Sequence, residues 1–466
     1  MNRRTALKIL GADALGTPLA LSQSARKKKK VVVAGAGIGG LCCAYELVKR
    51  GFEVVVLEAA GRSGGHILTL HDRLADGLYA DAGAEHFYRP GYDHLWRYIE
   101  EFQLPVIAYP RRRNLLRSVQ GHLYSQDQLS TGAMLSRLGY NQREIHYIHK
   151  NSLDDLPGLY YSEYEDKFAD EYRPFDAHLN HLDTITGRQF LLEKGASPVA
   201  AAWLGGEQSA LQAVWHAAIR RKRNMAWVQK NLFRIRGGNQ RLTDAFASVL
   251  RERLRLGCPV TAIEHSANGV RISYRDGSHP KVEEADHLVT AMSLAMLRQI
   301  PVKPQWSPAK RYVVENMPHS SHCRIIFQTR TRFWKTDGVS PNMYLSEPSL
   351  NSVWPMADEV QTPRGILIGT AGVATPEKAV AAYRRQYPGK SEDIEESFVV
   401  NWTTDPWSAV CLPAPLPPGV LSKYWPEMIE PVGRVHFAGV YADNYPFGME
   451  AAVRSAQRAT HEIETS

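Results

Sequence analysis

Apolar and polar positions alternate in three recognisable ways along this chain. Near the start, the run "VVVAG" (31–35) is uninterrupted and β-branched, the pattern of a strand buried on both faces. "LCCAYELVKRG" (41–51) follows with helical periodicity and stops at Gly51, and "EVVVL" (53–57) is a second buried strand that ends against Glu58. Strict alternation appears in "VTAIEHSANGVRISYRDGS" (260–278), where Asp276–Gly277 marks the turn of a hairpin. "SSHCRIIFQTRTRFW" (320–334) holds a further strand over 323–329. Arg324, Ile326 and Gln328 share one of its faces and Cys323, Ile325 and Phe327 the other. "VSPNMYLSEPSLNSVW" and "RGILIGTAGVA" also read as sheet strands, whereas 106–234 reads as helical, charged and aromatic. The chain closes with a strand, Gly439, a loop, and a helix that starts near Met449.

Between the first strand and helix stands Gly35-x-Gly37-x-x-Gly40. Gly35 permits the tight turn, Gly37 lets backbone approach a pyrophosphate, and Gly40 lets helix and strand pack closely. Ile38 opens the helix, whose N-terminal N–H groups and partial positive charge face that phosphate. Glu58 stands at the tip of the second strand, placed to accept hydrogen bonds from both hydroxyls of a ribose. Strand, turn, helix, strand and acid arrive in order, which is the signature of dinucleotide binding. An acid at the ribose disfavours a 2′-phosphate and leaves NAD and FAD both open.

Composition narrows the class. A chain of 466 residues that is 44% hydrophobic and 22% charged has material for two intertwined domains. Its net charge of +8 suggests nucleic acid or a membrane until it is located. Residues 1–30 hold eight basic residues against Asp13, so +7 sits there and +1 on the other 436. Nucleic-acid binding is therefore not expected. The basic stretch carries Arg3–Arg4, a weakly apolar run from Ile9 to Leu21 and then small residues. It resembles a twin-arginine export signal over residues 1–26, implying contact with export machinery and a periplasmic or secreted protein. The alternative is a basic tail on a cytoplasmic one. No other stretch approaches the roughly 18 apolar residues of a membrane span. Cys42, Cys43, Cys258, Cys323 and Cys411 show no metal-like spacing and predict no disulfide framework; His146/His149 and His178/His181 read as solvated histidines rather than ligands.

The stretch after Glu58 decides between cofactors. "AAGRSGGHILTL", with Arg62, Gly64, Gly65 and His66, resembles the second flavin motif of the flavin-containing amine oxidase family, in which an acid is followed by R-x-G-G-R. Four more stretches resemble that family: "YADAGAEHF" (79–87), "RIRGGNQRLTDAFA" (234–247), "NWTTDPWSAV" (401–410) and the terminal "GRVHFAGVYADNYPFGMEAAVRSAQRATHEI". The family contains monoamine, polyamine and L-amino acid oxidases. The resemblance implies an α/β fold: a discontinuous Rossmann-type FAD-binding domain (31–105, 235–300 and 400–466) and an inserted α+β substrate domain (106–234 and 301–399). It places Arg62 and the glycine loop on the FAD phosphates, Val260 at the adenine, Trp407 near the flavin ring, and Gly439, Met449 and Glu450 at the start of the terminal flavin-facing helix. It implies oxidation of an amine to an imine, with electrons passing to dioxygen. No cysteine occupies the terminal motif, so non-covalent FAD is expected.

Departures from the family pattern matter as much. Arg324 occupies the position of a lysine that faces the flavin in many members, and arginine keeps the charge without easily giving up its proton. His66 replaces the last arginine of the second motif, which weakens a phosphate contact or makes it pH-sensitive. The tyrosine of the terminal G-Y-M-E is missing, so Tyr445 or Phe447 would have to line the amine; Gly448–Met449–Glu450 is closer to carotenoid desaturases. His86 stands where L-amino acid oxidases carry a carboxylate-binding arginine. Two alternatives to an amine oxidase follow. One is a flavin desaturase or dehydrogenase acting on an apolar carbon chain, the other a non-catalytic FAD-binding structural protein.

Overall fold

In a computed structural model, described here for residues 28–338, 340–445 and 447–466, the first strand β1 (Lys30–Ala34) lies at the centre of a five-stranded parallel sheet. Its order is Leu254–Arg255, β2 (Glu53–Leu57), β1, His287–Thr290 and Val435–Phe437. Val31 to Val33 are wholly buried because helix Ile38–Lys49 packs on one side and the antiparallel strands Gly269–Asp276 and His279–Ala285 on the other, which is what their unbroken apolar run requires. Helix α1 (Ile38–Lys49) packs on this sheet and along the C-terminal helix Gly448–Thr465, where Cys43 Sγ lies 3.5 Å from Thr460 Oγ1. A side chain at Gly40 would drive its Cβ into the carbonyl oxygen of Gly35, so only glycine lets α1 come this close. Helix α2 (Asp93–Glu101) packs against the C-terminal helix from outside.

The hairpin expected around Asp276–Gly277 is present. Val260–Ser266, Gly269–Asp276 and His279–Ala285 form an antiparallel meander, with Gly277 at φ 60° in its turn. A second large sheet has seven strands in the order Ile394–Asn401, Cys323–Thr329, Gly365–Ala371, Leu350–Met356, Met343–Glu347, Leu116–Val119 and His122–Ser125. Strand Cys323–Thr329 is second from one edge, paired on both sides and buried throughout. Its Ile326 face meets a core containing Trp354 and Ile368, and its Ile325/Phe327 face meets Tyr383 and Leu367. The alternation expected there is seen. Short helices fill most of 126–222. A three-stranded sheet joins Phe87–Tyr88, Leu232–Ile235 and Val106–Ala108. The twin-arginine-like segment 1–26 lies outside the described residues.

Candidate active site

The turn after β1 opens into a cavity of about 710 Å³ that runs past the tip of β2 to the start of the C-terminal helix. Gly35 turns at φ 109°, where a Cβ would press on the backbone of Ala291, and the space beside Gly37 is empty. Within a helix the first N–H groups lack intrahelical acceptors, so α1 presents those of Ile38 and Gly39 to the cavity. Glu58 also lines the cavity. Its carboxylate accepts from Ala36 N at 2.5 Å and Ala60 N at 2.8 Å, which fixes its direction and leaves further acceptor capacity free. Burial raises the Glu58 pKa, opposed by those two N–H groups.

The second glycine loop lies on the first. Gly64 N donates to Ala36 O at 2.8 Å, and Gly64 and Gly65, at φ 103° and 55°, line the cavity with His66. Arg62 takes a different part from the one expected. Its guanidinium donates to the carbonyls of Ser63, Gly65 and Ile67, so it shapes the loop from within and does not line the cavity. His66 stacks on Trp402, with ring centroids 4.0 Å apart, and its Nε2 lies 2.7 Å from Cys411 Sγ. Burial, with His322 and Arg324 nearby, drives its pKa down to about 3. His66 is thus neutral at ordinary pH, which removes the expectation of a pH-sensitive phosphate contact.

Val260 also lines the cavity, two residues after Cys258, whose N–H donates to Glu58 O at 2.7 Å; farther along, Gly439 and Met449 line it where the terminal helix begins, and Gly439 at φ 129° is tied to Ser455 Oγ through both its N–H and its carbonyl. Glu450 points elsewhere. It accepts from His94 N (3.1 Å) and Leu95 N (2.9 Å), capping α2, and burial raises its pKa to about 7. Gly40 serves packing rather than lining. Trp407 lines the cavity rim with 41% of its surface exposed.

Arg324 lines the same cavity and is 4% exposed, so it is no surface arginine. Its Nη1 donates to Glu85 Oε2 and its Nη2 to Gly83 O, both at 3.0 Å. Glu85 also accepts from Arg111 Nη1 and from Trp354 Nε1 (3.1 Å), while the Arg111 guanidinium lies 3.6 Å over the Trp354 ring. Burial alone would raise the Glu85 pKa; Arg324 and Arg111 outweigh it and hold the carboxyl far below its usual range. Burial, reinforced by Arg324, lowers the His322 pKa to about 4, and burial lowers that of His86. The cluster of two guanidiniums and one carboxylate therefore leaves one positive charge beside the cavity. Glu85, Arg111, Trp402 and Cys411 were not expected as site residues. The one hint was the acid in "GAEHFY".

Tyr445 faces a second cavity of about 390 Å³ that shares Met317, Leu412, Pro413 and Phe447 with the first. It stacks on Phe447 at 5.2 Å, and Arg220 Nη1 donates to its hydroxyl at 3.0 Å.

The elongated cavity suits a dinucleotide: free helix N-terminal N–H groups, a glycine with open space beside it, a fixed acid, and a second helix start at the far end. The profile of the family described as flavin containing amine oxidoreductase matches residues 38–463, and the chain belongs to that family. Its cofactor is FAD, and it is an FAD-dependent, amine oxidase-like oxidoreductase. Among relatives, L-amino-acid oxidase BmooLAAO-I of Bothrops moojeni is 22% identical over 478 residues, covering 94% of this chain and 90% of that one. Amine oxidase [flavin-containing] A of Equus caballus is 24% identical over 477 residues, covering 93% and 84%. Among solved structures, putrescine oxidase bound to putrescine superposes with a TM-score of 0.79 at 21% identity, covering 94% of this chain and 99% of that one. Cyclohexylamine oxidase from Brevibacterium oxydans IH-35A does so at 0.75 and 22%, with the same coverage. These likenesses fix the fold as that of the amine oxidases.

Proposed function

We propose that the protein oxidises the C–N bond of an amine to an imine and passes the electrons to dioxygen, giving hydrogen peroxide. The observation that carries this reading is the junction of the two cavities, where a dinucleotide-shaped cavity bearing a fixed guanidinium meets an aromatic chamber. Bound FAD supplies the two-electron acceptor. Gly37, Ile38, Glu58, Gly64, Gly65, Val260, Gly439 and Met449 would hold it, and Trp407 would cover its edge. Arg324 would not act as a base, because a guanidinium does not deprotonate in proteins; it offers a fixed positive charge to negative charge that develops beside it. His66, His86 and His322 add none at neutral pH. The substrate domain we assign is 106–234 with 301–399, and the FAD domain is the remainder from 31 onward.

Peroxide release from amines in air tests the reading. Reduction only by apolar polyenes would favour a desaturase, and FAD that no substrate class reduces would favour a structural role. We propose that FAD is held without a covalent bond, since the terminal motif carries no cysteine. The structure nevertheless brings Cys411 into the cavity wall. Denaturation should release free FAD; flavin retained on the chain, and freed by Cys411→Ser, would overturn this. Residues 1–26 support export by the twin-arginine route to the periplasm or exterior. Joint Arg3→Lys and Arg4→Lys replacement should trap FAD-loaded protein in the cytoplasm, and normal export of that variant would refute it.

A further inference from the structure

The smaller cavity differs from the first in its charges. One side is aromatic, with Trp215, Trp425 and Tyr445, and the rest is largely apolar or neutral. No lysine or arginine lines it among the described residues, and its one carboxylate is already committed. Asp443 Oδ2 pairs with Arg454 Nε at 3.1 Å, and its Oδ1 accepts from Tyr172 Oη at 3.0 Å. Asn444 is likewise held, its Oδ1 by Arg223 at 2.6 Å and its Nδ2 by Glu171 O at 3.1 Å. His216 lines the chamber edge-on to Tyr445, at 5.0 Å; burial, with Arg223 and Arg220 behind it, lowers its pKa to about 3, so it is neutral. Gln212 Oε1 accepts from Leu416 N at 2.8 Å, while among the described residues its NH2 end has no partner.

We infer that this chamber is the substrate site and that it selects a monoamine with a single apolar, aromatic-sized group, rejecting both diamines and α-amino acids. The inference rests on the amine-oxidation reading and narrows it. Met317, Leu412, Pro413 and Phe447 line both cavities, so the chamber adjoins the flavin cavity at that shared wall. The amino group goes to that wall and the hydrocarbon lies among the indoles and Tyr445. A second ammonium at the chamber's far end would find no free carboxylate. The carboxylate of an α-amino acid, on the carbon that bears the nitrogen, would lie against the uncharged shared wall of Met317, Leu412, Pro413 and Phe447, and Arg324 already donates to Glu85 and to Gly83 O. Either ion would lose its hydration without a partner. A neutral far end meets the Gln212 NH2 and the imidazole of His216, which suit a ring alone or a ring with a hydroxyl.

The flavin-loaded enzyme, mixed anaerobically with 2-phenylethylamine, 1,4-diaminobutane or L-phenylalanine, tests this by the second-order rate of flavin bleaching. The arylalkylamine should exceed each of the others by roughly 100-fold. Gln212→Glu is close to isosteric; one oxygen can keep the Leu416 N–H bond while the other brings a negative charge into the chamber. It should shift the diamine-to-arylalkylamine ratio by at least about 10-fold towards the diamine. Equal or faster bleaching by diaminobutane or phenylalanine in the wild type would overturn the inference while leaving amine oxidation standing. So would an unchanged ratio in folded, flavin-loaded Gln212→Glu. Failure of every amine to bleach the flavin would remove the amine-oxidation reading itself, and this inference with it.

Discussion

Replacing Glu85 with glutamine should destabilise the protein more than removing Arg324, although both belong to one buried cluster. Glu85, Arg324 and Arg111 are 4%, 4% and 8% exposed, so water screens the charges little. The carboxylate takes hydrogen bonds from Arg324 Nη1 (3.0 Å), Arg111 Nη1 and Trp354 Nε1 (3.1 Å). Glu85→Gln keeps one carbonyl oxygen of the same shape but strands two guanidiniums without a counter-charge. Breaking a buried pair from one side costs about 3–5 kcal/mol. Arg324→Met instead leaves Glu85 and Arg111 as a neutral pair and should cost less by at least about 1 kcal/mol. Urea unfolding of both variants, followed by tryptophan fluorescence, measures the difference. The sign with pH is also set. The Glu85 pKa is depressed in the fold, so its contribution is complete above the unfolded carboxylate pKa of about 4.3 and fades as pH falls through the lower folded value. The gap between wild type and Glu85→Gln should therefore be constant from pH 6 to 8 and narrow in acid. Equal costs for the two variants, or a larger one for Arg324→Met, would refute the charge-balance reasoning.

Glu58→Ala should weaken FAD binding measured by apoprotein titration, since charge-assisted bonds are worth about 1.5–3 kcal/mol each; unchanged affinity would count against Glu58 as the ribose acceptor. Arg324→Met should slow reaction of the reduced enzyme with dioxygen more than anaerobic reduction by substrate. Stopped-flow measurement of both halves checks this, and a loss confined to reduction would make Arg324 a substrate contact. The Glu450 pKa, raised to about 7, means the folded state takes up a proton that the unfolded state has released. Its stabilising contribution is full below the unfolded carboxylate pKa and is lost as pH rises through about 7. Glu450→Gln should flatten the fall in stability between pH 5 and 7.5; an unaltered slope would show that another group titrates there.

What the sequence made legible was local. Gly35, Gly37, Gly40 and Glu58 owe their places to a glycine turn or the end of a strand, and both follow from a few neighbouring residues. Side chains that act over long separations were harder. Arg324 and Glu85 are 239 residues apart, and nothing in the pattern of strand Cys323–Thr329 says that its arginine is buried against an acid from the loop at 83–86. Glu450 caps a helix 356 residues away, and Arg62 folds back onto its own loop. In both cases the motif placed the backbone correctly, while rotamer and neighbours decided the side chain's task. Cys411 reads in the sequence only as an isolated cysteine, because its closeness to His66 is created by tertiary packing, 345 residues apart in the chain.

Whether an amine delivers two electrons to FAD in this cavity and dioxygen removes them is decided by one anaerobic titration. Purified flavin-loaded protein is titrated with an arylalkylamine under argon, its absorbance is followed to completion, and air is then admitted. Full bleaching at one equivalent of amine per flavin is expected, then recovery of the oxidised spectrum with one equivalent of hydrogen peroxide. A flavin that stays oxidised with every amine offered, or one that bleaches but is reoxidised by an added acceptor and not by air, would contradict it.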